Sequence, residues 1–586
     1  FETADGLTAV GGIGPVTANR LTPYLSVGSR SDLRRDLYLK PKVWIHNSSA
    51  DAYSRFRRIV GNPDGYSRPD TLGGYLGSPV NYYQRVHYRS DHLSANLTQA
   101  KRPGERLPGP LAFNNQSGYA SLEDLGRLKI AVAGNYSMRM GQGLIMGSGI
   151  SLGKGQDVIR SANRSGAGVR GFTSGNTAGA FRGAAVTWGE RIRVTGFYSS
   201  RKRTAAVVEG DTIRFPVSTP QGRTLAERER RLNTGQQTAG GRISMDLPAG
   251  VLGAGGYVNR FSRPVQKGPG PWQQHSFGGT TASALSIDYR FTAGPAHMFG
   301  EAGRTGNGAV GVVSGVEMTA GDGTEFAIAL RHYEPDFQSI FGSSFAEQSG
   351  TPRNEEGWYL GVRHRLREAV RLSAYFDRYH FPAPRYLTRQ PTGGYDWLGM
   401  AEYRPDRQTE LYLLVRQKVR EQEYDDTDSA GRDIRLLSRH RRLVARIQSG
   451  IQIHPRVRLR NRAEWTDIRP AGGGRAPGFL LYQDIRFQAR HNLQIDARVT
   501  LFDTDGFEAR AYHFENDLLY VFSSTMLFDQ GQRFYILFNY RPSEKIQVWF
   551  KASTTIYENR LVVGSGLDRL PRNHRSDIGM QVRLRL

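Results

Sequence analysis

The sequence has 586 residues, no cysteine and a formal net charge of +25, with arginine outnumbering lysine 69 to 10. Without cysteine, disulfide scaffolds, zinc ribbons, thiol catalysis and iron–sulfur chemistry are excluded. No stretch approaches the ~18 apolar residues of a transmembrane helix, yet 11% aromatic content and recurrent strand-like alternation set the chain apart from a disordered one. The positive charge implies a polyanion or an anionic surface as partner without choosing between them. Phe1 is not an initiator methionine, so the expectation is that an upstream segment such as a secretion signal was removed or is absent here.

Residues 1–30 read as a short helix, a glycine hairpin and a second helix. Leu7-Thr8-Ala9-Val10 leads into Gly11-Gly12-Ile13-Gly14, and Pro15 opens a helix with Ala18, Leu21 and Leu25 on one face. Proline suits that first position, where its φ is already helical and its missing amide would be unbonded anyway.

From about residue 36 the signal is period two. Ile192, Val194, Gly196 and Tyr198 alternate with Arg191, Arg193, Thr195 and Phe197; Val582, Leu584 and Leu586 alternate with Gln581, Arg583 and Arg585. Such strands have one apolar and one polar face. Short turns fall near Asp91, Gly141, Glu190, Ala249, Gly323, Glu368, Asp406, Pro455, Asn492 and Ser543. Long connections fall at 47–79, 102–125, 151–181, 204–239, 263–282, 335–355, 426–440 and 560–573. With 142–150 counted as a strand, every long connection lies opposite the termini, the asymmetry of a bacterial outer-membrane barrel. A set of soluble antiparallel domains explains the alternation but leaves the one-sided loops unexplained. The fold class is therefore all-β: a large antiparallel transmembrane β-barrel of about 26 strands (range 22–26) over residues 31–586, preceded by a periplasmic helical module at 1–30. Both termini are expected in the periplasm. A barrel this wide usually carries a luminal plug, for which 47–79, 141–181 and the amino-terminal module are the candidates.

Leu7-x-x-Val10-Gly11-Gly12-Ile13-Gly14-Pro15-Val16-Thr17-Ala18-Asn19-Arg20-Leu21 resembles a helix-hairpin-helix motif. Gly126-Arg127-Leu128-Lys129, Gly134-Asn135-Tyr136, Gly141-Gln142-Gly143-Leu144 and Gly153-Lys154-Gly155-Gln156-Asp157-Val158 follow, then Arg182-Gly183-Ala184-Ala185 and Gly196-Phe197-Tyr198-Ser199-Ser200-Arg201-Lys202. This order resembles a Gram-negative envelope family that joins a helix-hairpin-helix to a large outer-membrane β-barrel. The likeness covers roughly 5–25 and 75–205 by motif and the remainder by texture. It implies location and architecture more than activity.

Two sets of site residues follow. In the DNA-binding proteins that the hairpin resembles, backbone amides and the positive end of the second helix hold phosphates without reading bases. The matching positions are Gly12, Gly14, Val16 and Thr17, with Arg20 one turn on; protein docking or plugging is the other role open to the module. In the barrel, Arg416, Lys418 and Arg420 share one strand face, as do Arg458, Arg460 and Arg462. A charge at the lipid midplane costs ~2–4 kcal/mol, so these faces belong in the lumen or at a rim. There they either draw anions or brace the wall by pairing with carboxylates such as Glu464 and Asp467.

Enzyme and metal signatures stay at the level of coincidence, and no catalytic residue, metal or cofactor is expected. Gly149-Ile150-Ser151-Leu152-Gly153 fits G-x-S-x-G without the strand–turn–helix such a serine needs. Gly153-Lys154-Gly155 echoes a phosphate loop without its spacing. Asp425, Asp426 and Asp428, and Asp503 with Asp505, lack the glutamate of a calcium loop, and 226–232 reads as a helical turn in a surface loop. Three functions remain: a translocation barrel whose hairpin handles DNA, a plugged or passive channel for anionic solutes, and a structural or secretion-complex barrel that docks a periplasmic protein. Outer-membrane lipid is a partner in each, and the oligomeric state is open.

Overall fold

The computed structural model describes residues 45–107, 109, 113–148, 153–214, 221–348 and 351–586. The hairpin module, with Gly12, Gly14, Val16, Thr17 and Arg20, lies outside the described residues, as does Gly149–Leu152 of the G-x-S-x-G match. In chain order the strands are Ser49–Ile59 (β1), Asn81–Arg89 (β2), Leu93–Lys101 (β3), Asn115–Leu125 (β4), Leu128–Arg139 (β5), Gly168–Gly171 (β6), Phe181–Gly189 (β7), Ile192–Arg203 (β8) and Thr234–Leu247 (β9). Gly250–Val265 (β10), Gly279–Ala293 (β11), Ala296–Thr305 (β12), Val310–Ala320 (β13), Thr324–Tyr333 (β14), Glu355–Arg367 (β15), Val370–Phe381 (β16), Thr392–Tyr403 (β17) and Thr409–Thr427 (β18) continue the wall. Asp433–His454 (β19), Val457–Arg469 (β20), Ala476–Arg490 (β21), Leu493–Thr504 (β22), Ala511–Glu515 (β23), Ser523–Leu527 (β24), Gln530–Tyr540 (β25), Ile546–Tyr557 (β26) and His574–Arg585 (β27) complete it. A single short α-helix, Leu225–Glu229 (α1), stands among the described residues in the expected surface loop, and Thr224 Oγ1 accepts its Glu227 amide at 3.2 Å.

Twenty-four of these strands form one closed antiparallel barrel, within the expected range. β1 pairs with β2 on one side and with β27 on the other, Tyr53 opposite Arg583 and Ile59 opposite Asp577. Closure leaves no unpaired edge, which the membrane interior would not tolerate. β6 is an extra short strand on β5, while β23 and β24 pair only with each other.

Alternation sorts the two faces. Along β21, Phe479 and Leu481 are exposed on the outside while Leu480 and Tyr482 are buried inside. Trp358, Leu413, Val499 and Ile536 extend the exposed apolar belt around the barrel. In water a belt of this extent would drive association, so it is the lipid-facing surface. The turns at the end that carries Leu586 span two to five residues, whereas the other end carries the long connections. Short turns are periplasmic and long loops extracellular in outer-membrane barrels, which orients the chain.

Several boundaries correct the sequence reading. Ser49–Ile59, inside the presumed plug segment 47–79, is a wall strand, and so is Asn115–Leu125, inside the presumed loop 102–125. Their outward positions, among them Ala52, Ser54, Gly118 and Ala120, are too small to give an apolar alternation. The presumed loop 426–440 is mostly strand, because β18 and β19 run far beyond their neighbours to a five-residue turn. Gly141 is not a periplasmic turn, and 142–148 is not a strand; both belong to a segment inside the lumen.

Candidate functional site in the plugged lumen

After β5 the chain turns inward. Met140, Leu144, Ile145 and Met146 are buried and pack with the luminal residues Tyr136, Phe197, Tyr257, Val313 and Tyr333, and Gln142, between them in sequence, is buried too. The turn requires glycine at 141, where φ is +49° and a Cβ would sit 2.7 Å from Glu301 Oε2. Glu301 on β12 accepts the amides of Gln142 (2.7 Å), Leu144 (2.9 Å) and Ile145 (3.4 Å). Three amide donors converging on one buried carboxyl group anchor the loop, because each of them would otherwise be left unpaired away from water. A second inward loop, 334–348, clasps the first: Ser343 donates its amide to Gly143 O (2.8 Å), Gly147 donates to Phe341 O (2.9 Å), and Ser339 Oγ donates to Ile145 O (3.2 Å).

Beyond this apolar clasp lies a charge cluster. Lys154 Nζ meets Glu347 at 2.6 Å and Asp396 at 3.5 Å, and also pairs with Asp377. Arg331 holds Glu355 (2.5 Å) and Asp377 (2.8 Å); Arg416 grips both oxygens of Asp396 (3.0 and 2.7 Å); Lys418 pairs with Glu347. Four cations thus face four carboxylates. Burial alone would lower the Lys154 pKa, but Glu347, Asp377 and Asp396 outweigh it and raise it. Burial likewise pushes the Glu347 carboxyl up, and Lys154 with Lys418 overcomes that to hold it below its usual range. Desolvating such ions costs several kcal/mol each, so removing one partner is far more damaging than the net worth of the pair suggests.

A third inward segment, 505–529, fills the opposite side of the lumen. Its hairpin β23–β24 buries Ala511, His513, Glu515, Leu518 and Leu527. Glu515 accepts from Arg533 at 2.6 and 2.9 Å and pairs with Lys551 at 3.2 Å and His513 at 3.0 Å. Asp484 and Arg498 pair beside it at 2.6 Å. Apart from Asp505 the sequence points to nothing in this segment, because its strand-like alternation is indistinguishable from that of a wall strand.

The two basic triplets divide. Arg416 and Lys418 are locked in the cluster, whereas Arg420 is exposed and its side chain pairs with no described carboxylate. Arg458 lies 3.8 Å from Glu410 and Arg460 4.0 Å from Asp484, both loosely held. Arg462 donates to Gln448 Oε1 (2.9 and 2.6 Å) and sits 5.1 Å above the Tyr482 ring. The carboxylates that complete the clusters, Glu301, Asp377, Asp396 and Glu515, escaped notice; each is an acidic luminal position within a strand otherwise rich in glycine or aromatics. Lys154, part of the resemblance motif and an echo of a phosphate loop in the sequence, is committed to carboxylates. Asp425 and Asp428 pair with Arg435 and Arg432, and no group of residues able to hold a metal ion occurs among the described residues.

Closure, a lipid-facing belt and one-sided loops define an outer-membrane β-barrel, and its lumen is occupied by the chain's own loops. No family model matches the chain, and no curated protein matches it. Among solved structures it is similar to the siderophore receptor PirA from Pseudomonas aeruginosa (8% identity, 92% of this chain, 81% of that chain, TM-score 0.43). It is also similar to the ferric enterobactin receptor PfeA of the same organism in complex with BCV-L6 (10%, 92%, 82%, TM-score 0.44) and to the copper transporter OprC (7%, 92%, 81%, TM-score 0.45). The assignment to the outer membrane rests on the barrel's own features.

Proposed function

We propose that this chain is a gated outer-membrane transport barrel whose resting state is closed by residues 140–148, 153–165, 334–348 and 505–529. The observation that carries the reading is the anchorage of Gln142–Ile145 on Glu301, deep in the lumen, by three amide hydrogen bonds. A loop held by one carboxylate and one cluster of ion pairs is a discrete element that can yield as a unit, which is what a gate requires. Planar-bilayer recording tests this. The intact protein is expected to stay closed, and a form with 141–165 replaced by a short Gly-Ser linker to show large steady conductance. A large conductance from the intact protein, or a closed form without 141–165, would overturn the reading.

The finer role of residues 1–30 follows from the helix-hairpin-helix motif and the net charge of +25. In this reading Gly12, Gly14, Val16, Thr17 and Arg20 hold DNA phosphates at the periplasmic mouth, and the translocated polymer is DNA. Anisotropy of labelled DNA across a salt series should then show steeply salt-dependent, sequence-independent binding that vanishes when 1–30 is deleted. Binding that survives the deletion transfers the effect to the barrel's arginines. Absence of binding together with a stable co-purifying periplasmic protein makes the module a docking element.

A further inference from the structure

The pairing between β7 and β8 ends at Gly183 opposite Ser199, yet β8 runs on to Arg203 with only β9 beside it. The space this opens, on the extracellular side, is a cavity of about 910 Å³. Arg182, Arg201, Lys202, Arg203, Arg231 and Arg260 line it, and no aspartate or glutamate among the described residues does. None of these six forms an ion pair with a described carboxylate, unlike the cations of the lumen.

Neutral groups position the guanidinium planes instead. Arg201 donates to the carbonyls of Thr177 (3.3 Å), Ala178 (3.1 Å) and Ala180, and through Nε to Gln236 Oε1 (3.0 Å). Arg203 Nη1 donates to the same Ala178 carbonyl at 2.6 Å. Arg231 donates to Asn114 O, while its buried Nε has no hydrogen-bond partner among the described residues. Carbonyl acceptors fix the geometry of these side chains without cancelling their charge. The remaining polar lining consists of amides and hydroxyls, including Asn115, Gln116, Gln237 and Ser262.

We infer that this cavity binds a phosphate-bearing saccharide. Arginine forks match phosphate oxygens two at a time, and several cations without an ion-paired carboxylate call for a ligand with more than one negative charge. The amide and hydroxyl lining supplies the donors and acceptors that sugar hydroxyls need, and the volume falls in the range of a small-molecule site. The site is independent of the luminal gate, since none of its residues belongs to the plug segments. The shared chemistry has two sources: the phosphorylated glycolipid of the surrounding leaflet, or a soluble sugar phosphate.

Two probes separate the sources, both applied to the full detergent-purified protein and to Arg201→Gln/Arg203→Gln. Fructose 1,6-bisphosphate titrated calorimetrically is expected to bind the intact protein and to lose at least tenfold in affinity in the variant, if the ligand is soluble. If the ligand is lipid, native mass spectrometry is expected to show a bisphosphorylated glycolipid retained by the intact protein and lost from the variant. Should that variant fail to fold, Arg182→Gln/Arg260→Gln, at outward-facing positions, serves the same comparison. Equal affinity for inorganic phosphate, equal binding or retention by the variants, or binding of neither probe overturns the proposal.

Discussion

The arginines of the lumen and those of the mouth beside β8 differ in one respect: whether a carboxylate faces them. In the lumen, Arg331, Arg416, Arg498 and Arg533 each meet an acid within 3 Å. At the mouth, Arg201 and Arg203 meet only carbonyl and amide oxygens. The lumen therefore spends little of the net charge of +25 on attracting anything, and its ion pairs act as braces and latches. The field that reaches solvent originates where partners are missing, and net charge alone could not have located that place.

The largest test removes a latch. Lys154→Ala leaves four buried carboxylates to three cations, Arg331, Arg416 and Lys418, and an uncompensated buried charge of this kind costs about 3–5 kcal/mol. Limited proteolysis should then cut within 153–165, and bilayer recordings should show openings that the intact protein lacks. Arg203→Gln, at the mouth, strands no carboxylate and should cost only its hydrogen bond to the Ala178 carbonyl, about 1 kcal/mol. Equal destabilisation by the two would erase the distinction.

Glu301→Gln comes next. A single amide oxygen cannot accept what two carboxylate oxygens accept from Gln142, Leu144 and Ile145, and the new amide nitrogen faces donors. Losing this arrangement should cost about 1–3 kcal/mol, seen as faster hydrogen exchange at 142–145 with the barrel strands unchanged. Unaltered exchange there would mean the clasp on 339–343 holds the loop by itself.

Acid should loosen the same latch. Glu347 has a depressed pKa, so its stabilising share is complete above an unfolded value of about 4.3 and is lost as pH falls through the lower folded value. Lys154 has a raised pKa, so its share is complete below about 10.4 and lost only as pH rises through the higher folded value. Openings should therefore appear as pH drops below about 4, while neutral and mildly alkaline pH keep the pore closed. Conductance indifferent to pH between 7 and 3 would remove Glu347 from the gate.

Much of this architecture was legible beforehand. Outward residues such as Ile192, Val194, Leu481 and Leu584 alternate cleanly because lipid demands apolar side chains there, and loop asymmetry followed from the same segments. What stayed hidden has physical reasons. Around β5 and β10 the luminal face is apolar too, because Tyr136 and Tyr257 pack against the plug rather than water, so inside and outside look alike. Gly141-Gln142-Gly143-Leu144 and Lys154 were visible as motif residues, yet their partners Glu301 and Asp377 lie more than 150 residues away in sequence. Arg416 and Arg203 are the same residue type on similar strands, and only the fold reveals that Asp396 stands beside the first and no described acid pairs with the second.

The smallest expected effect lies between these extremes. Arg458 and Arg460 face the lumen near its periplasmic end, partly exposed, with Glu410 and Asp484 at 3.8 and 4.0 Å. Exposed pairs at such distances contribute about 0–1 kcal/mol, so Arg458→Gln/Arg460→Gln should barely move the melting temperature. Their charge, though, borders whatever passage opens once the plug yields. In the form lacking 141–165, the double variant should shift the reversal potential in a salt gradient toward weaker anion preference, with conductance nearly unchanged. An unshifted potential would show that the half-paired arginines are already neutralised by their distant acids, and would move them to the braced side of the comparison.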